Sequence, residues 1–141
     1  MNDRYLFRAK RIDNGEWVCG SYVYTFCEDN NRIVVGVKVE KHWIVEESGN
    51  MVWVDKDTIC QCTGLKDKNG NLIWENDVVG FWDTYSTENG QAEMDCIGKV
   101  VWDDETISFQ VTNRLSSESY EVLDECSVIG NIFDNPELMY E

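Results

Sequence analysis

Histidine is nearly missing from this chain of 141 residues, in which only His42 occurs. Catalytic triads and most zinc sites draw on imidazole, so either chemistry would have to come from cysteine, aspartate and glutamate. His42 stands in Lys41-His42-Trp43 and reads as a surface histidine beside a lysine. Proline is equally scarce, with Pro136 close to the C-terminus. Basic residues are few, 12 against 27 acidic ones. Binding to bare nucleic acid needs a basic face, so nucleic acid is not an expected partner. No run of about 18 apolar residues exists, and Met-Asn-Asp-Arg at the start is no apolar secretory segment. The expectation is a cytoplasmic protein with no membrane partner. Walker, Gly-x-Ser-x-Gly and His-Glu-x-x-His patterns are absent too.

Acidic charge is what the chain has in excess. Residues 1–55 hold 7 basic and 9 acidic side chains, a balance of −2, whereas residues 56–141 hold 5 and 18, a balance of −13. Such a surface serves solubility before recognition. Six cysteines (Cys19, Cys27, Cys60, Cys62, Cys96, Cys126) would suggest a disulfide frame in a secreted chain. In a reducing compartment they read as small buried hydrophobes. Cys60 and Cys62 fall on one side of a strand, but no second cysteine pair completes a zinc set, and no cofactor is expected.

Apolar periodicity of two recurs along the chain. Tyr5, Phe7 and Ala9 alternate with Arg8 and Lys10, Asn14-Gly15 turns, and Trp17 to Tyr24 returns, with Gly20 marking a bulge or a close backbone approach. Arg32 to Val39 reads as a third strand, and Trp43 to Val45 with Met51 to Val54 as a further hairpin. Five more short strands follow between Val78 and Phe133, broken by the loops at 83–93 and 113–119, with the rhythm of a small SH3-like barrel. The expected fold is therefore all-β. An N-terminal antiparallel β-meander over 1–57 leads into a C-terminal SH3-like β-barrel over 58–141, the two forming one compact unit. Asn135-Pro136-Glu137 has the pattern of an N-cap with proline at the first helical position, so a short C-terminal helical turn should close the chain. Phe7, Trp17, Val35, Ile73, Val79, Val101, Phe109, Ile129 and Ile132 occupy the apolar phases and are the expected core.

Between these halves lies Thr58 to Val79, two apolar runs joined by Lys68-Asn69-Gly70-Asn71. Asn-Gly supplies the two positive-φ residues of a type I′ hairpin turn. Thr63 to Gly70, Ile73 to Val79 and Val128 to Leu138, with Arg4 to Ile12 and Gly15-Glu16-Trp17, resemble the signature of the YopX family, small proteins of bacteriophages and prophages. The resemblance spans nearly the whole chain and implies the same barrel architecture for its second half, in the cytosol of a bacterial host. It implies no activity. Where the family usually has Glu-Gly-Asp this chain has Glu75-Asn76-Asp77, and asparagine tolerates the same left-handed backbone. Cys62 likewise stands where the family commonly has an aromatic residue.

A non-catalytic protein-interaction module, self-associating into a homo-oligomer or binding a host protein, fits these features best. Six Trp, six Tyr and five Phe exceed what one small barrel hides, and a meander leaves open edges. Asp103, Asp104 and Glu105, adjacent acids in a hairpin turn, are the candidate acidic interaction surface. One alternative is an acidic DNA mimic that occupies the basic cleft of a host nucleic-acid enzyme. Another is a carboxylate-based enzyme, which would need one acid with a raised pKa in an apolar setting.

Overall fold

The computed structural model describes residues 3–29, 37–116, 118–122 and 125–140, apart from the side chains of 27–29 and 37–38. Val35, the first part of the expected third strand and the side chain of Cys27 lie outside the described residues. The chain is all-β and divides into two compact units, Met1–Gln61 and Cys62–Glu141.

In the first unit β1 (Phe7–Lys10), β2 (Trp17–Asp29), β3 (Val37–Val45) and β4 (Met51–Val54) follow one another as an antiparallel meander, and the start of β5 (Cys60–Lys66) pairs with β1. Register decides which side chains share a face. Ala9 opposes Val18 and Ile44 opposes Val52, so the even residues of β2 and their partners bury the core of Ala9, Val18, Ile44, Val52 and Val54. Phe7, Tyr22 and Ile59 pack against it. Trp17 opposes Lys10 on the other face and stays half-buried there, which removes it from the expected core. Gly20 is a close approach, since a Cβ there would run into the Val45 carbonyl and come within 3.2 Å of the Glu46 Cα.

In the second unit β6 (Leu72–Trp74) returns along β5. β7 (Asp77–Thr87), β8 (Gly90–Asp103), β9 (Ser108–Asn113), β10 (Ser119–Glu121) and β11 (Ser127–Asn131) form an antiparallel sheet in the order β10-β9-β8-β7-β11. Its core is Ile73, Val79, Val100, Val111 and Cys126, with Phe81, Phe109, Val122 and Val128 packed against it. Two expected core residues are displaced by one position. Val101 pairs with Gln110 on the outer face while Val100 is fully buried, and a bulge between Val128 and Gly130 turns Ile129 outward to 43% exposure. The C-terminal turn is a 3-10 helix, Pro136–Met139, with proline at its start. The Asn135 side chain does not cap it and instead accepts from the Asn131 amide at 3.3 Å.

These burial differences set an expected result. Truncating Ile73 to alanine should lower the unfolding free energy by about 2–5 kcal/mol through loss of buried area and the cavity left behind. Ile129→Ala should stay within about 0.5 kcal/mol. Urea unfolding midpoints read both, and equal shifts would refute the assigned phases. Among the described residues, no helix is long and apolar enough to cross a membrane.

Candidate functional site

The turn motif that the sequence singles out is a structural junction. Asp67 is 5% exposed, and its Oδ1 accepts the Asn69 and Asn71 amides at 2.9 Å while Oδ2 accepts the Val128 amide at 2.9 Å. Burial alone would raise its pKa, but the amides of Val128, Asn71 and Asn69 outweigh it and hold the carboxyl below its ordinary value. The Lys68 amide donates to the Cys126 carbonyl at 3.0 Å, so the loop is stitched to the segment entering β11. The carboxylate also resets the turn. Gly70 alone has positive φ there, +83°, so Asn69-Gly70 is not a type I′ pair; the loop is longer and its amides point inward at Asp67. Asn76 does take the expected left-handed conformation at φ 70°. It donates its amide to the Val100 carbonyl at 2.8 Å and accepts from Ile132, while the buried Asp77 accepts the Trp74 amide at 2.8 Å. The residues that carry the resemblance thus spend their polar groups on the fold.

Surface chemistry gathers elsewhere. On the outer face of the first unit, register aligns Arg8 and Lys10 of β1 with Trp17 and Cys19 of β2, and Lys41 and Trp43 of β3 with Trp53 of β4. The Arg8 guanidinium lies 4.7 Å from the Trp17 ring centre and Lys10 Nζ 5.4 Å. Lys41 Nζ sits 4.9 Å from Trp53 and 5.8 Å from Trp43, whose indole Nε1 donates to Thr25 Oγ1 at 2.9 Å. Cations laid on indoles add about 0.5–1 kcal/mol each at exposed sites. Trp53 and Met51 remain 46% and 51% exposed.

The second unit carries the opposite character. Beyond Gly80 and Gly98, β7 and β8 pair only with each other among the described residues, forming a two-stranded arm that runs to the Thr87–Gly90 turn. Trp82 opposes Asp95 and Thr84 opposes Glu93 on one side of it. The arm from Trp82 to Asp95 includes Asp83, Glu88, Glu93 and Asp95 and no basic residue. At its base, the Tyr120 hydroxyl lies 2.7 Å from Asp83 Oδ2 and 2.6 Å from Glu118 Oε2. Those hydrogen bonds, Glu118 first, together with burial push the phenol pKa well up. A cavity of about 80 Å³ beside it is lined by Phe81, Trp82, Tyr120 and Glu125. Small-molecule sites begin near 300 Å³, so this one is too small to enclose a substrate.

The acidic turn expected as a surface is internally engaged. Asp103 accepts the Glu105 amide at 2.9 Å, Asp104 accepts the Trp102 indole at 2.8 Å, and Asp104 and Glu105 remain exposed. Cys60 and Cys62 are buried, with their thiols donating to the Thr58 and Ile73 carbonyls, and no residues grouped for a metal occur among those described. Cys96 and Cys126 are buried as expected, whereas Cys19 is exposed. His42 departs from its surface reading. Its ring stacks on Tyr22 at 5.8 Å and lies 5.1 Å from Tyr24, its Nδ1 meets the Tyr22 hydroxyl at 2.5 Å, and its Nε2 is buried 3.9 Å from Glu40. Sequence reasoning missed the cationic tryptophan face, although the alternation of Arg8 and Lys10 opposite Trp17 carried its signal.

A family model described as YopX protein matches residues 6–140. Curated proteins offer no match. Among solved structures, protein EF1440 from Enterococcus faecalis is similar at 23% identity over 94% of this chain and 96% of that chain, with a TM-score of 0.46.

Proposed function

This chain belongs to the YopX protein family, and from that premise we propose that it is a non-catalytic protein-interaction module acting in a bacterial cytosol. The observation that carries the reading is the outer face of the first unit, where Trp17, Trp43 and Trp53 are held in place by Arg8, Lys10 and Lys41. Tryptophan and arginine dominate binding energy at protein interfaces, tryptophan because it buries much area with few rotatable bonds and arginine because its planar guanidinium offers several donors. The cavity beside Tyr120, which holds little more than a few waters, lends no support to a small-molecule reaction. The exposed carboxylates of Asp104 and Glu105, in the second unit, belong to the same proposal as a separate acidic contact.

Affinity capture from a bacterial lysate with the wild type and with the double variant Met51→Ser, Trp53→Ser tests it. A partner held by the wild type in about 0.5 M salt, where screening shortens electrostatic reach to roughly 4 Å, and lost by a variant with unchanged circular dichroism supports an apolar interface. Equal capture by both proteins refutes it. A partner lost by the wild type itself at that salt would favour the acidic DNA mimic.

A further inference from the structure

The two surfaces above are opposite in charge, and both leave aromatic area exposed. The face of the first unit is aromatic and cationic: its described ladder positions on β1, on β2 from Trp17 to Thr25, on β3 and on β4 hold Arg8, Lys10 and Lys41 and no carboxylate, with Asp55 at its edge, where its amide donates to the Lys10 carbonyl at 2.8 Å. The side of the arm bearing Trp82 holds Glu93 and Asp95 and no cation. Trp82 is 59% exposed, and further aromatic and thioether surface lies open on the opposite side of the arm at Tyr85 and Met94. A two-stranded ribbon is marginal in water on its own and gains by being covered.

We infer that the acidic arm of one copy docks on the cationic tryptophan face of a second copy, with Glu93 and Asp95 against Lys10 and Lys41 and Trp82 against the indoles. The inference rests on the interaction-module reading and names its occupant. Charge selects that occupant. Residues 1–55 are close to neutral at −2 while residues 56–141 carry −13, so a contact between unlike parts of two copies avoids setting acid against acid. A contact between two different patches on identical chains closes as a two-fold pair or a ring. Single-stranded nucleic acid could also stack on indoles, but three cations already laid on those rings would have to hold phosphates on a chain of net charge −15.

The test is a charge exchange read by light scattering and sedimentation at about 0.15 M salt. The wild type is expected to exceed the monomer mass of 16.4 kDa in a concentration-dependent way. Lys10→Glu with Lys41→Glu, and separately Glu93→Lys with Asp95→Lys, should each return it to the monomer. Mixed one to one, the two variants should associate again, since the intact arm of one meets the intact face of the other. Trp82→Ser supplies an arm variant that leaves charge untouched and should also dissociate the assembly. A wild type that stays monomeric, variants that stay associated, or a mixture that fails to reassociate overturns the inference. A monomeric wild type whose lysate partner is still lost in the Met51 and Trp53 variant would overturn this assignment alone and leave the module reading standing. Fluorescein-labelled oligothymidylate bound by the wild type and lost in Lys10→Glu with Lys41→Glu would overturn it in favour of nucleic acid.

Discussion

Gly20→Ala is expected to destabilise the first unit by about 3 kcal/mol or more, out of proportion to one methyl group. The new Cβ would collide with the Val45 carbonyl, with the carbonyl carbon at 2.9 Å and Glu46 Cα at 3.2 Å. All of these atoms are backbone. A flexible side chain could swing aside, but relief here requires moving the end of β3 away from β2, where Ser21 pairs with Val45 and Tyr22 with Ile44. Ile44 is fully buried, so that movement opens the core as well as the ladder. Urea unfolding followed by tryptophan fluorescence should place the variant's midpoint far below the wild type, and coincident curves would show that the approach is not tight.

Asp67→Ala should cost about 3–5 kcal/mol, because three backbone amides lose a charged acceptor in a place that water reaches poorly. The pH dependence distinguishes charge from shape. The pKa of Asp67 is lower in the folded chain than in the unfolded one, where it is near 3.9. Its contribution is therefore fully present above that unfolded value and disappears as pH falls through the folded one. Asp67→Asn keeps an oxygen for Asn69 and Asn71 but turns an amide toward the Val128 N–H, so it should lose part of the stability and this carboxyl's share of the acid slope. Stability measured from pH 6 down to 2 checks this, and identical slopes in wild type and Asp67→Asn would contradict it.

Much of the fold was legible because the two-residue period is simple. Ala9, Ile73 and Val79 are buried where alternation puts them, and Asn76 has the backbone that its place in Glu75-Asn76-Asp77 demands. The misreadings share one cause, in that each depends on a contact distant in sequence. Asn69 lacks the positive φ of a type I′ turn and gives its amide to Asp67, a carboxylate that also accepts from Val128 of β11, 61 positions later. A bulge shifts Ile129 by one residue, which period alone cannot reveal. His42 looked solvated because its neighbours in sequence are polar, while its neighbours in space are Tyr22 and Tyr24 on β2. The candidate site was less legible than the fold. A pattern of lysine, arginine and tryptophan spread over four strands becomes a surface only once register is known. Asp103, Asp104 and Glu105 are visible in the sequence because they are contiguous, while their bonds to their own backbone and to the nearby Trp102 are not.

Tyr120 has a mechanical consequence. A phenol carries one hydrogen, and here two acid oxygens wait for it: Asp83 across on β7 and Glu118 two residues before it. When the hydrogen goes to Asp83, the three-residue strand β10 is tied across to β7. When it goes to Glu118, that tie lapses, yet the phenol is still satisfied. Two carboxylates thus share one hydrogen, and only one of them can hold β10 toward β7 at a time. The edge strand is therefore held in two ways, by its short ladder to β9 and by a hydrogen whose direction is a choice between two acids, whereas β8 and β9 are held by their ladder.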